Sequence, residues 1–433
     1  MEDVDQSADG QLEKSPETHN LWTLAIQNVV LRVGWIFKTE SVIMPYVVDA
    51  ISGAGWVRGL LPILSRVGQS VPPLMYADRL RSQPLKKFPL FFTAIAMALP
   101  FLLLSFVWSR LEDRSIWWMT PFFLVLYFVF FSATGLNQLV FGTLQGKLVR
   151  PNRRGFLLGI GGTVGSIFAV TTALVWLDSW ISQPNYDGFT WVFLFNGSAF
   201  FVAGLVALFC IEHRDADREI PKIRIVEPFT IAWKIFWHDR SFRKAAYVAM
   251  LFISSLLVFP HYQWLGRERI GTDATDLIYW VIAQNISVGF YSPILGRIAD
   301  LYGNRLAIRV GIFIVSLTPL LAVFFASGYL ENAHEWYWLT FVLLGLTPVI
   351  MRTILNYTLE LVEEDQHPHY LSTMKIIFAA PFVFAPFVGY LIDTIPYQIP
   401  FIGVSILVLI GGALTFRMVE PRDQLDSVSH KGE

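Results

Sequence analysis

Two short charged links recur at half the length of this hydrophobic chain, and they constrain the fold more than any other feature. The first reads Ala77-Asp78-Arg79-Leu80-Arg81 and continues to Lys86-Lys87. The second reads Gly296-Arg297-Ile298-Ala299-Asp300-Leu301-Tyr302-Gly303-Asn304-Arg305. Asp78 and Asp300 lie 222 positions apart in a chain of 433 residues, and each link follows the second long apolar segment of its half. Polar punctuation at that interval predicts a duplicated helical membrane protein built from two related bundles.

Composition agrees. Charged residues make up 15% of the chain and hydrophobic ones 54%, against roughly 25% charged in a soluble domain. The single cysteine, Cys210, excludes an internal disulfide framework and a cysteine-based metal cage. A net charge of −1 gives no electrostatic footprint for nucleic acid.

Crossing the hydrocarbon core as a helix takes about 20 apolar residues. Twelve segments qualify: 21–46, 56–77, 88–109, 117–141, 155–178, 189–211, 243–264, 275–295, 305–328, 335–359, 371–393 and 397–417. The expected fold is an all-α membrane protein of twelve transmembrane helices in two pseudo-symmetric six-helix bundles. The expected divisions are a disordered tail over 1–20, bundles over 21–211 and 243–417, a central loop over 212–242, and a second tail over 418–433. Within the loop, the apolar stripe Phe229, Ala232, Trp233, Phe236 and Trp237 predicts a helix lying on the membrane surface. Counted over the loops and the span ends beside them, Lys and Arg divide 23 to 4 between the two sides. This predicts both termini in the cytoplasm and a multi-pass protein of the cell membrane, inner or plasma.

Twelve spans, a central loop and two such links resemble the major facilitator superfamily, whose 2–3 link typically reads G-x-x-x-D-R-x-G-R-R/K. The first copy keeps Asp78 and Arg79 but has Leu74 at the first glycine. The second keeps Gly296, Asp300, Gly303 and Arg305 but has Leu301 in place of arginine. Pro151-Asn152-Arg153-Arg154-Gly155 is similar to the superfamily's Arg-Gly entry to span 5, whereas its counterpart over 363–370 lacks that pair. The resemblance implies a secondary transporter working by alternating access, with Asp78, Arg79, Arg154, Gly296, Asp300, Gly303 and Arg305 as gating or hinge residues. Physical chemistry supports a hinge: glycine permits close helix approach, and a carboxylate accepts N–H groups at a helix end.

Ionisable groups inside a bilayer are costly and call for a reason. By helical rise, Glu40, Arg58 and Lys38 share a level near the outer surface, which predicts an outer ion pair. Arg32 and Arg66 lie near the midplane with no acidic residue at their depth. Either an anion sits between them, since a guanidinium grips carboxylate or phosphate by two hydrogen bonds, or each bonds backbone and neighbours such as Asn28, Gln69 and Ser70. Asn137, Gln138, Gln284 and Asn356 are further substrate-binding candidates. The superfamily resemblance favours Asn137 and Asn356, on cavity-lining spans 4 and 10. Its organophosphate exchangers carry arginines on spans 1 and 7; Arg32 fits the first, but span 7 offers only His261, Tyr262 and Gln263, expected at the outer rim. Arg352, Glu360 and Lys375 are expected to form inner ion pairs.

No enzyme, cofactor or metal is expected. The stretch Gly142-Thr143-Leu144-Gln145-Gly146-Lys147-Leu148 is one residue short of a P-loop and lacks its Ser or Thr. His334-Glu335 has no second histidine at protease spacing, and His367 and His369 lack a third ligand. The expected partner is a small solute, anionic if the arginines bind it. A neutral or amphipathic solute, or a non-transporting sensor of the same fold, is the alternative, and a monomer in the lipid bilayer is expected.

Overall fold

A computed structural model describes residues 14–216, 226–273, 275–363 and 366–420, and every regular element among them is helical. The helices used below are α1 (Lys14–Trp35), α2 (Ile43–Ile51), α3 (Gly55–Arg81), α4 (Lys87–Trp108), α5 (Met119–Leu148), α6 (Pro151–Thr172) and α7 (Phe189–Ala207), followed by α8 (Glu227–His238), α9 (Arg240–Ile253), α10 (His261–Leu265), α11 (Asp276–Tyr302), α12 (Asn304–Ala326), α13 (Trp338–Leu344), α14 (Thr347–Glu360), α15 (His367–Ala379), α16 (Ala385–Thr394) and α17 (Gln398–Leu414). Nine helical stretches among the described residues are long and apolar enough to cross a membrane. The helices α1, α3 and α11 are equally long but more polar, and α3 alone carries Arg58, Arg66, Asp78 and Arg79. Against the twelve expected segments, nine stretches among the described residues meet both length and hydropathy.

The chain forms two compact units. One holds the chain up to Lys38 together with Val67–Ile223; the other holds Thr39–Arg66 and the chain from Arg224 onward. In the first unit α4 packs along α5 and α7, and α1 along α6 and α7. Its core is aromatic. Phe101, Phe130, Phe193 and Phe200 are fully buried, with Phe101 and Phe130 edge-to-face at 4.8 Å between centroids. Trp108, also buried, satisfies its indole N–H on the Tyr186 carbonyl at 2.9 Å.

In the second unit α12 packs on α17 and α14, and α11 on α13. Trp280 stacks on Phe341 at 4.8 Å. Two of its helical stretches are broken. The run after α9 tightens to a 3₁₀ turn over Ser254–Val258 and resumes as α10 just after Pro260. The run after α15 does the same over Ala380–Phe384, which contains Pro381. Proline removes a backbone donor and clashes with the preceding turn, which accounts for both breaks. Thr39–Arg66 joins this unit through small residues: a Cβ at Gly59 would stand 2.3 Å from the Ala385 carbonyl oxygen, and one at Gly55 2.4 Å from that of Gly389. The predicted surface helix forms as α8, with Ala232 buried and Trp233 and Trp237 exposed.

Candidate functional site

A cavity of about 390 Å³ opens within the first unit. Helix α1 contributes Asn28, Leu31, Arg32 and Trp35; α5 contributes Thr134, Asn137, Gln138 and Phe141. Both sets recur at three- and four-residue spacing, which puts each on one helix face. Two glycines of α6 set the geometry. A Cβ at Gly161 would meet the Asn28 side chain at 2.7 Å, and one at Gly165 would meet Cβ and Cγ of Arg32 at 2.8 and 2.9 Å. Asn28 and Arg32 are thus seated in notches that only glycine leaves open. Gly159 and Gly162 of the same helix would meet nothing within 4 Å.

The candidates on α5 differ. Asn137 is buried and turns away into α4, its amide donating to Thr93 Oγ1 at 3.0 Å and to the Leu90 carbonyl at 3.3 Å. It joins two helices. Gln138 is exposed and lines the cavity, so its amide can serve a solute. Met97, Leu31 and Phe141 supply apolar wall. The cavity thus offers one guanidinium, one exposed amide and apolar sides.

In the second unit, Arg58 is 1% exposed and held by carboxylates the sequence reading did not pair with it. Its guanidinium donates to Asp49 at 2.5 Å and to Asp393 at 3.2 Å, and also to the Gly53 carbonyl at 3.2 Å. Asp393 in turn accepts the Gly55 N–H at 2.6 Å, capping the start of α3. Arg267 approaches Asp49 at 3.8 Å. The expected partnership of Arg58 with Glu40 is therefore corrected: Glu40 accepts from Ser65 Oγ at 3.2 Å instead. Lys38 lies 3.9 Å from the centroids of both Trp35 and Phe131, a cation–π arrangement in the first unit.

Eight residues along α3, Arg66 has a different environment. It makes no side-chain hydrogen bond or ion pair among the described residues, its Nε is buried without an acceptor, and its guanidinium lies 5.7 Å from the Phe382 ring. Gln69 and Ser70, offered as its neighbours, do not bond it. Gln284 accepts from Ser41 Oγ at 2.6 Å, and Asn356 is exposed. The inner ion pairs need correction too. Arg352 and Lys375 are exposed and pair with no carboxylate among the described residues. His261 is not a rim residue. It is fully buried beside Gln263, and neither ring nitrogen has a hydrogen-bond partner among the described residues.

Both links are clasped by a carboxylate that follows a later helix. In the first unit Glu212 accepts the backbone N–H groups of Lys86 and Lys87, each at 2.9 Å, at the positive end of α4. Lys147 pairs with Glu212 at 2.8 Å and Asp215 at 2.9 Å, and Lys86 pairs with Asp215. Hydrogen bonds from Lys86 and Lys147 hold the Asp215 carboxyl down at about 2. In the second unit Arg305 reaches Glu420 at 3.5 Å and donates to the Met418 carbonyl at 3.1 Å. Gly303, at φ +88°, leaves space that Glu420 fills: a Cβ there would stand 2.6 Å from the carboxyl.

Comparison with known proteins shows similarity to one sequence family and to solved structures of the same fold. Residues 265–432 match the family model of the Major Facilitator Superfamily, a stretch that includes the second link. The nucleoside transporter NupG superposes with a TM-score of 0.68 at 11% identity, covering 92% of this chain and 99% of its own. Over the matched stretch the chain is similar to this family, and it shares its fold with the solved transporter. Its fold is shared equally by a POT family transporter in complex with 5-aminolevulinic acid (TM-score 0.69, 12% identity, 93% and 96% coverage). A bacterial homologue of the iron transporter ferroportin in the inward-facing state gives 0.67 at 12% identity, with 92% and 98% coverage. A bacterial homologue of the human lysosomal transporter Spinster gives 0.62 at 13%, with 95% and 98% coverage. No curated protein matches the chain in sequence.

Against the superfamily's link pattern, the remaining positions fall as follows. Arg79 is exposed, and the Asp78 side chain lies outside the described part of the structure. Arg154 donates to the Val149 and Gly146 carbonyls at 2.9 and 2.8 Å, closing the C-terminus of α5. A Cβ at Gly296 would meet nothing within 4 Å, so close packing is not what places glycine there. Asp300 is exposed. The residues that sequence reasoning missed are the partners: Asp49, Asp393, Glu212, Asp215 and Glu420. Their one common signal is a carboxylate at the end of an apolar stretch.

Proposed function

We propose that this chain is a secondary transporter that carries a small anionic solute by alternating access, with Arg32 taking the negative group and Gln138 a polar group of the same solute. The observation that carries this reading is the 390 Å³ cavity of the first unit, in which Gly161 and Gly165 hold Asn28 and Arg32 against the lining. In the second unit, by itself, Arg66 is a guanidinium that no described residue neutralises. The clasped links are proposed as hinges at the Lys- and Arg-rich side, and the division of 23 to 4 in Lys and Arg supports cytoplasmic termini in a cell membrane.

The rival reading, a neutral or amphipathic solute, draws on the apolar wall of Leu31, Trp35, Met97 and Phe141. Counterflow in proteoliposomes separates the two. Uptake of labelled carboxylates or phosphate esters that fails in Arg32→Ala supports the anion. Uptake of neutral solutes unaffected by Arg32→Ala supports the rival, and solute binding with no flux would make the chain a sensor.

A further inference from the structure

In the second unit, α8 walls a cavity of about 710 Å³ together with the start of α9 and the start of α15. Ile231, Lys234, Ile235 and His238 recur at three- and four-residue spacing, so one face of α8 lines it. The exposed apolar stripe of α8 lies on another face. Phe229, Trp233 and Trp237 are exposed, and at about 100° per residue they sit about 150° round the helix from the cavity face. Tryptophans so placed suit a membrane surface, which leaves the cavity on the side that meets water. A ligand there is drawn from solution and not from the acyl chains.

The rim of this cavity is basic. Lys234, Arg240 and His369 line it, and their side chains make no hydrogen bond or ion pair among the described residues. His238 fixes its ring by donating from Nδ1 to the Lys234 carbonyl at 2.8 Å. Asp239 is the one carboxylate among the lining residues, and both its oxygens are engaged. One accepts the Ser241 and Phe242 N–H groups at 2.8 and 2.9 Å, capping α9, and the other accepts the Tyr370 hydroxyl at 2.9 Å. Tyr370 also meets Phe242 edge-to-face at 5.3 Å between centroids, so this wall is set before any ligand arrives. Ile231 and Ile235 supply an apolar floor. We infer that the cavity binds a water-soluble organic polyphosphate of nucleotide size, with its phosphates on Lys234, Arg240 and His369 and its ring on Ile231 and Ile235. Guanidinium and ammonium groups are the side chains suited to phosphate, and the volume falls within the roughly 300–1,000 Å³ of small-molecule sites. The bound ligand ties α8 to α9 and α15.

The test is equilibrium binding of labelled ATP to the detergent-purified full chain, in competition with inorganic triphosphate, adenosine and dioctanoyl phosphatidic acid. The expected result is one saturable ATP site. Triphosphate, which lacks the part that lies on the isoleucines, should compete about 10-fold more weakly, and adenosine should not compete. Lys234→Gln/Arg240→Gln, at two exposed positions, should weaken ATP about 10- to 100-fold, the loss of two charge-assisted contacts. Gln366→Trp, at an exposed lining residue, fills the cavity with both cations in place and should abolish binding. Absence of saturable ATP binding at millimolar concentration would overturn the inference. So would triphosphate competing as well as ATP, phosphatidic acid competing better, or binding undiminished in the double variant or in Gln366→Trp. ATP binding lost in Arg32→Ala would place the ligand in the first unit's cavity and overturn it as well. A double variant that fails to fold leaves the Gln366→Trp arm to decide.

Discussion

Arg58 and Arg66 stand two turns apart on the same helix and in the same unit, yet their surroundings are opposite. Arg58 is buried with two carboxylates and a carbonyl around it. Arg66 has an aromatic ring at 5.7 Å and no acceptor among the described residues. A buried charge is tolerable when its partners are built in, and Asp49 and Asp393 do this for Arg58 while tying α2, α3 and α16 together. An arginine without built-in partners keeps its donors for something that arrives. We propose that this contrast in partners separates scaffold from site.

The largest effect that can break this contrast is on stability. Arg58→Ala leaves two carboxylates facing each other near the apolar interior and should cost about 3 kcal/mol, the lower end of the range for broken buried pairs because Asp393 is partly exposed. Arg66→Ala should cost under about 1 kcal/mol, the loss of a cation–π contact. Thermal melts of the purified variants measure both, and equal losses would dissolve the distinction.

A smaller effect sharpens the same contrast within α6. Gly165→Ala forces its new methyl onto Arg32 and should cost about 1–3 kcal/mol while weakening solute binding. Gly162→Ala, which meets nothing within 4 Å, should be neutral or stabilising by up to about 1 kcal/mol through helix propensity. Melts should therefore separate the two variants, and binding isotherms should weaken in Gly165→Ala alone.

The smallest effect concerns pH. The Asp215 carboxyl is held at about 2 by Lys86 and Lys147, below its usual range. A depressed carboxyl contributes stability that is complete above its unfolded value, roughly 4, and is lost as pH falls through 2. Between pH 7 and 5 the melting temperature of Asp215→Asn should thus run parallel to that of the natural chain. A gap that closes over that interval would show that the clasp titrates near neutrality.

Much of the fold was legible because membrane helices announce themselves by length and apolarity, and because Asp78 and Asp300 mark the same link in each half. The polar partnerships were not legible. Arg58 and Asp393 are 335 positions apart, and Lys86 and Glu212 are 126 apart, so no local spacing joins them. Helical rise predicted a shared level for Arg58 and Glu40 but could not show that the chain turns at Gly53 and brings Asp49 closer. His261 looked like a rim residue because the break at Ser254–Val258 is invisible to a hydropathy window. Arg32 was legible as an embedded charge, whereas its seat on Gly165 depends on which face of α6 meets α1.

The most direct test of the anion reading is a thermal-shift titration of the natural chain, Arg32→Ala and Arg66→Ala with small carboxylates, phosphate esters, neutral solutes and cations. A ligand at about 100 times its Kd stabilises by roughly 2.7 kcal/mol. The account predicts shifts confined to anions, lost in Arg32→Ala and reduced in Arg66→Ala, with both variants folded. Anion binding unchanged in both single variants, or shifts produced only by neutral solutes, would contradict it.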